Sequence, residues 1–393
     1  LEAERNEVCT APAKVEVYGD AAGGGCTNSS VVTKWTIPTA PDPATILAVA
    51  APAPWTLEVR WINPSKANGN LLSARAIARP KNGGSTVTCH GITEASFATK
   101  CSLRGLRSFT EFEVWVEVCT ALAKVEVYGD AAGGGCTNSS VVTKWTIPTA
   151  PDPAIITAVA APAPGTLEVR WINPSKANGN LLSARATARP KDGGSTVTCY
   201  GITEAPFATK CSLRGLRSFT EYELWVEVCT ALAKVEVEGD VAGGGCTNSL
   251  VKTKWTIPIA PDPADLSDVA APTPGTLEVR WVNPSKANGN LLTSRAIARP
   301  IDGGSEATCS GNIKTLSQAI CSLTGLRNFT EYELWVEVCT APAKVEVEGD
   351  VAGGGCTNSS FVRRRTLSGV LLAPRFAIFD ILVPFFSFFA CIF

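Results

Sequence analysis

The sequence predicts an all-β protein built from tandem modules. Three observations predict it: a repeat of 110 residues, short runs of alternating apolar and polar residues between Pro-, Gly- and Asn-rich breaks, and four cysteines at fixed places in each full repeat. A period of this length is too long for a solenoid unit and suits one complete domain per repeat.

The period is read from Cys9-Thr10, Cys119-Thr120, Cys229-Thr230 and Cys339-Thr340, each of which opens a copy of A-x-A-K-V-E-V-x-G-D-x-A-G-G-G-C-T-N-S. Residues 9–118 and 119–228 differ at only ten positions, so the copies read as a recent duplication. The expected organisation is the truncated end of a preceding module at 1–38, modules at 39–148, 149–258 and 259–366, and an apolar tail at 367–393. The last strand of the third module is atypical, because Arg363-Arg364-Arg365 stands where the other copies have Thr-Lys-Trp.

Within a copy the strands follow from two-residue periodicity. In Thr166–Trp171, the residues Leu167, Val169 and Trp171 share one face while Glu168 and Arg170 share the other. In Tyr222–Val228, the inward set is Tyr222, Leu224, Val226 and Val228. Trp61, Trp171 and Trp281 are therefore core candidates, with Tyr222 and Tyr332. Linkers such as Thr146–Pro153 are short and proline-rich, which predicts semi-rigid spacers and an extended rod.

A net charge of −1 gives no reason to expect nucleic acid as a partner. Fifteen cysteines in 393 residues point to disulfides and an oxidising compartment. A zinc site is disfavoured because the spacings are not C-x-x-C and no histidine repeats with them. His90, the one histidine, is replaced by Tyr200 and Ser310 in the other copies, so it reads as a loop residue without chemistry. The Gly243-Gly244-Gly245 run lacks the following Lys-Ser/Thr of a phosphate loop. No Ser/His/Asp or carboxylate constellation recurs, so the chain reads as non-enzymatic, with no catalytic, cofactor-binding or metal-ligating residues. A chain of this length without methionine that opens inside a repeat is expected to be a fragment.

The ordered combination of these elements resembles the fibronectin type III family. Pro151-Asp152-Pro153 matches its proline-rich start, Leu167-x-Val169-x-Trp171-x-x-Pro174 its second strand, and Leu213, Leu216, Thr220 and Tyr222 its L-x-x-L-x-x-x-T-x-Y pattern. Gly179 and Gly193-Gly194 fall at its turns, and the set recurs three times. The resemblance implies seven-stranded immunoglobulin-like sandwiches. It also implies a corner hydrogen bond from Tyr222 and Tyr332, which Phe112 cannot make, worth about 0.5–1.5 kcal/mol. One departure is strand C, where Ala184, Ala186 and Ala188 give a small inner face beside Trp171.

Four cysteines per module allow three connectivities. The family template favours Cys199–Cys211 and Cys229–Cys246, and so by repetition Cys9–Cys26, Cys89–Cys101, Cys119–Cys136, Cys309–Cys321 and Cys339–Cys356, with Cys391 left over. Family analogy also marks the long F–G connection as a candidate binding loop, at Glu238, Gly239 and Asp240; it holds no Arg-Gly-Asp, and a plain spacer hairpin is an equal reading. Asn28, Asn138, Asn328 and Asn358 lie in glycosylation sequons. Trp225 is expected to face outward between Glu223 and Glu227, stacked with Arg185 and Arg189 as a cation–π ladder; stiffening of the C–F–G face is the favoured reading and docking of a partner the second.

The function implied by the resemblance is that of an extracellular or cell-surface adhesion and interaction protein. Its modules would act as spacers and as binding surfaces for a protein ligand or matrix component; a receptor ectodomain is the alternative. The tail from 369 to 393 has three readings. Read-through from a gene model is favoured, because the change falls inside a strand. Membrane attachment comes second, against the cost of Asp380, and a glycolipid-anchor signal third.

Overall fold

In the computed structural model the described residues are 2–4, 7–11, 18, 23–126, 128–203, 207–313 and 318–369. All regular structure among them is β. The apolar tail beyond 369, and Cys391 with it, lie outside the described residues.

The second module shows the plan. Strands A (Ile155–Ala163), B (Thr166–Ile172) and E (Ala208–Arg214) form one antiparallel sheet in the order A–B–E. Strands C (Leu181–Pro190), C′ (Val197–Tyr200), F (Glu221–Thr230) and a split strand G (Gly245–Asn248 and Lys252–Trp255) form the other, in the order C′–C–F–G. The split has a local cause. The Ser249 hydroxyl accepts the Val226 amide at 2.9 Å, so a side chain takes one place in the F–G ladder.

The same plan runs from Thr45–Ala53 to Val142–Trp145 in the first module and from Asp265–Ala270 to Val362–Arg365 in the third. The basic run is absorbed into strand G of the third module. Arg363 reaches Glu333 at 2.9 Å, and Arg365 lies over the Phe329 ring at 5.1 Å. At the other end, Glu2–Glu4 pairs with Val32–Lys34 and Glu7–Cys9 with Cys26–Asn28. That is the F–G register of the full modules, held although the apolar alternation of strand F is lost there.

Alternation produces the core. Leu167, Val169 and Trp171 from strand B, and Leu224, Val226 and Val228 from strand F, are fully buried. Ala184, Ala186 and Ala188 of strand C are buried opposite them, and these small residues leave the volume that the Trp171 indole fills. Its Nε1 donates to Asn173 Oδ1 at 2.8 Å, and Asn173 in turn donates to the Ile202 carbonyl at 3.0 Å. Gly201 packs flat on the indole: a Cβ there would lie 2.5 Å from Trp171 Cζ2. In the third module Ser294 replaces the alanine and joins the network, accepting from Trp281 Nε1 at 2.8 Å and donating to Asn283 at 2.7 Å.

Tyr222 Oη accepts the Arg217 amide at 2.9 Å, and Tyr332 Oη accepts that of Arg327 at 2.9 Å. Phe112 is buried at the same place and has no hydroxyl to offer.

Disulfides join Cys199 of strand C′ to Cys211 of strand E, across the two sheets, and Cys229 to Cys246 across the F–G pair. The first and third modules repeat both bonds, as Cys89–Cys101 with Cys119–Cys136 and as Cys309–Cys321 with Cys339–Cys356. Cys9–Cys26 repeats the F–G bond in the leading hairpin. The close Glu–Cys–Cys groups, such as Glu227, Cys229 and Cys246, therefore present disulfide sulfurs and not the thiolates that a metal requires.

The C–F–G face differs in one respect from the ladder expected from sequence. Arg189 does lie over the Trp225 ring, at 5.7 Å, with a 2.7 Å ion pair to Glu223. Arg185 is held instead by Glu227 at 2.9 Å, its direct cross-strand partner. Arg189 too faces a carboxylate directly, Glu223, and keeps its stack, so each module has one Arg–Trp stack and not two, a difference that the cross-strand pairing does not explain.

Candidate functional site: the clasp between modules

The F–G connection of the second module folds back on itself before it meets anything else. The Ala233 amide donates to the Ala242 carbonyl at 2.7 Å, and the Asp240 amide to the Val237 carbonyl at 3.1 Å. Asp240 Oδ2 then accepts the amides of Glu236 at 3.0 Å and Val237 at 3.1 Å. An aspartate capping its own turn in this way fixes the carboxylate relative to the backbone.

The fixed carboxylate is aimed at the first module. Its Oδ1 accepts the Ala51 amide at 2.8 Å, and the Val241 amide donates to the Ala51 carbonyl at 3.0 Å. Ala51 lies on strand A, in the stretch where the A–B register slips between Ala50 and Ala53. Strand A is also the edge of its sheet, and an uncovered edge is a template for unwanted pairing. The loop of the following module covers that edge.

Lys144, from strand G of the first module, completes the clasp, donating to Asp240 Oδ2 at 2.9 Å and reaching Glu236 at 3.4 Å. The Asp240 side chain is 2 % exposed and that of Lys144 12 %. Burial pushes the Asp240 carboxyl up, but the Lys144 ammonium and the Ala51, Glu236 and Val237 amides outweigh it and hold the group down at about 2. Gly239 lies against Ala50 and Arg60, where a Cβ would sit 3.4 Å from that of Ala50.

The next junction repeats the geometry. Asp350 accepts from the Ala161 amide at 2.8 Å and from Lys254 at 2.8 Å, and the Val351 amide donates to the Ala161 carbonyl at 3.0 Å. Burial again pushes the carboxyl up, and Lys254 with the Ala161, Glu346 and Val347 amides brings it to about 2. At the leading hairpin, Lys34 pairs with Asp130 at 2.6 Å.

Beside each clasp runs a groove, of about 460 Å³ at the first junction and about 650 Å³ at the second. Phe109 and Trp145, rings 5.1 Å apart, line one wall of the first, and Leu232 and Ala233 of the next module the other.

The structure thus places Gly239 and Asp240 against a neighbouring module, while Glu238 stays exposed at the loop tip. Sequence reasoning did not find Lys144, Ala51 or Asn173. The sequon residues Asn28, Asn138, Asn328 and Asn358 are all exposed, as is His90. Among the described residues no helix is long and apolar enough to cross a membrane.

No protein-family model matches the chain. Among curated proteins it is similar to usherin of Rattus norvegicus, 28% identical over 336 residues, and to usherin of Homo sapiens, 25% identical over 329 residues. These alignments take in 80% and 81% of this chain but only 6% of either usherin, so the chain spans a small part of the length of these relatives. A solved structure of the chicken CNTN1 FN1–FN3 domains covers 85% of this chain and all of its own, at 12% identity and a TM-score of 0.32. Three sandwiches ordered A–B–E and C′–C–F–G, each with its buried strand-B tryptophan, give the chain the fold of tandem fibronectin type III modules.

Proposed function

We propose that the chain is a non-enzymatic extracellular interaction protein, with adhesion as its finer role: a semi-rigid rod of modules at 39–148, 149–258 and 259–366 that spaces and presents surfaces to a protein or matrix ligand. The observation that carries this reading is the clasp, repeated with the same partners at two consecutive junctions. A module fixed to its neighbour by a buried ion pair and a two-way backbone contact transmits orientation along the chain, which a spacer requires and a freely jointed string does not provide.

The extracellular location is supported by seven disulfides and by exposed sequons. With Asp240 and Asp350 engaged between modules, the ligand surface is assigned to the outward C–F–G faces and the exposed loop tips. A receptor ectodomain would use the same rod. Membrane attachment through residues 369–393 belongs to that second reading.

The test is to secrete the chain from a eukaryotic host, map its disulfides by non-reduced peptide mass spectrometry, and measure its retention on matrix laid down by cultured cells. The reading expects the seven pairs, sugar on Asn138 and saturable retention. Free thiols throughout would remove the extracellular location, and no retention above a scrambled-disulfide control would remove the adhesive role.

A further inference from the structure

The clasp has a donor half, the F–G loop with its aspartate, and an acceptor half, built from strand A, strand G and the groove beside them. The first and second modules both have their acceptor halves filled. The third module carries the acceptor half too, and nothing among the described residues fills it.

Ala51 and Ala161 are each 1% exposed under their loops, whereas the matching Ala271 is only partly buried. Ile147 and Ile257, in the groove walls, are each 3% exposed, and Leu367 in the same place is 46% exposed. Phe329, the counterpart of the groove rings Phe109 and Phe219, is 66% exposed. The charges are kept as well. Arg364 stands in the register position of Lys144 and Lys254, opposite Tyr332 on strand F, and it enters no ion pair among the described residues. Arg280 stands where Arg60 and Arg170 lie against the glycines of the docked loops.

We propose that this face of the third module, formed by Ala271, Arg280, Phe329, Arg364 and Leu367, is a docking site for the Gly-Asp-bearing F–G hairpin of a further fibronectin type III module. Continuity with the two filled junctions identifies the occupant. The site offers the backbone of Ala271, one residue past the end of strand A, and a cation at the positions that elsewhere in this chain receive an aspartate capping its own turn. The assignment rests on the clasp geometry and is independent of the adhesive reading above.

The test uses the whole chain, isotope-labelled, and a synthetic hairpin spanning residues 229–246, closed by its own Cys229–Cys246 bond, as the probe. The expected result is saturable NMR shifts at the amides of Ala271, Arg280 and Arg364. The acceptors around Ala51 and Ala161 should stay silent, because their own loops fill them. An Asp240→Ala hairpin, and separately an Arg364→Glu chain, should bind at least tenfold more weakly. The Arg364→Glu chain must keep the core shifts of its third module, and Ala271→Pro, which removes the receiving amide, provides a second variant. No saturable shift, equal binding of the Asp240→Ala hairpin, or shifts centred elsewhere would overturn the proposal.

Discussion

Asp240 and Ala51 are 189 residues apart and in different modules, yet the carboxylate of one accepts the backbone amide of the other at 2.8 Å. The amide after Asp240 returns a bond to the Ala51 carbonyl, so the contact is a short stretch of strand pairing in which a side chain replaces one peptide.

The docked carboxyl sits at about 2, against an ordinary aspartate value of 3.8. A pKa lowered by docking means that the contribution is fully present above the undocked value and is lost as pH falls through the docked one. Docking should therefore be unchanged from neutral pH down to about 4 and should weaken between about 4 and about 2. The whole shift corresponds to about 2 kcal/mol, shared between docking, through Lys144 and the Ala51 amide, and the Glu236 and Val237 amides of the loop's own turn. A carboxyl carbon NMR titration checks this: Asp240 and Asp350 should share a midpoint near the low end of that window, and Lys144→Met should raise that of Asp240 alone.

The tyrosine corner gives a reciprocal pair. Tyr222→Phe leaves the Arg217 amide without its acceptor and should destabilise the second module by about 1 kcal/mol. Phe112→Tyr should add about the same to the first module, where the surrounding sequence is otherwise nearly identical. Denaturant midpoints of the separate module transitions would show opposite signs.

Much of this architecture was legible in the residues, and what escaped did so for physical reasons. Alternation in Thr166–Trp171 and Tyr222–Val228 set the inner faces, because a strand has only two sides. The clasp was not legible. Its acceptor is the main chain of an alanine, which has no sequence mark, and the near-identical first and second copies retain most residues, so the recurrence of Lys144 as Lys254 carried no signal. The Arg–Trp–Arg ladder was half right: spacing put both arginines beside Trp225, and the structure stacks only Arg189, although each arginine faces a carboxylate directly. Gly201 likewise gave no signal, since its role lies in the indole it touches.

That contact predicts a steric cost. Gly201→Ala places a methyl 2.5 Å from Trp171 Cζ2, and either the indole or the strand must move. The second module should lose about 1–3 kcal/mol, with its tryptophan emission altered. Gly311→Ala should do the same in the third module, where the added methyl would meet the Trp281 indole more closely still.

Trp55 offers the opposite change. It holds φ 60°, at the A–B turn where the other modules have Gly165 at 61° and Gly275 at 70°. A side chain in that conformation costs roughly 1–2 kcal/mol, partly offset by the entropy that glycine loses on folding. With its side chain half exposed, Trp55→Gly should stabilise the first module by about 1 kcal/mol, seen as a rise in that module's unfolding midpoint.

The central claim is that the clasp fixes one module on the next. Residual dipolar couplings of backbone amides in the first and second modules test it most directly, in the intact chain and in Asp240→Ala. The account predicts that one alignment tensor fits both modules of the intact chain at neutral pH, and that the variant needs two tensors of different magnitude while each module keeps its own fold. Two independent tensors in the intact chain, or one shared tensor that survives Asp240→Ala, would contradict it.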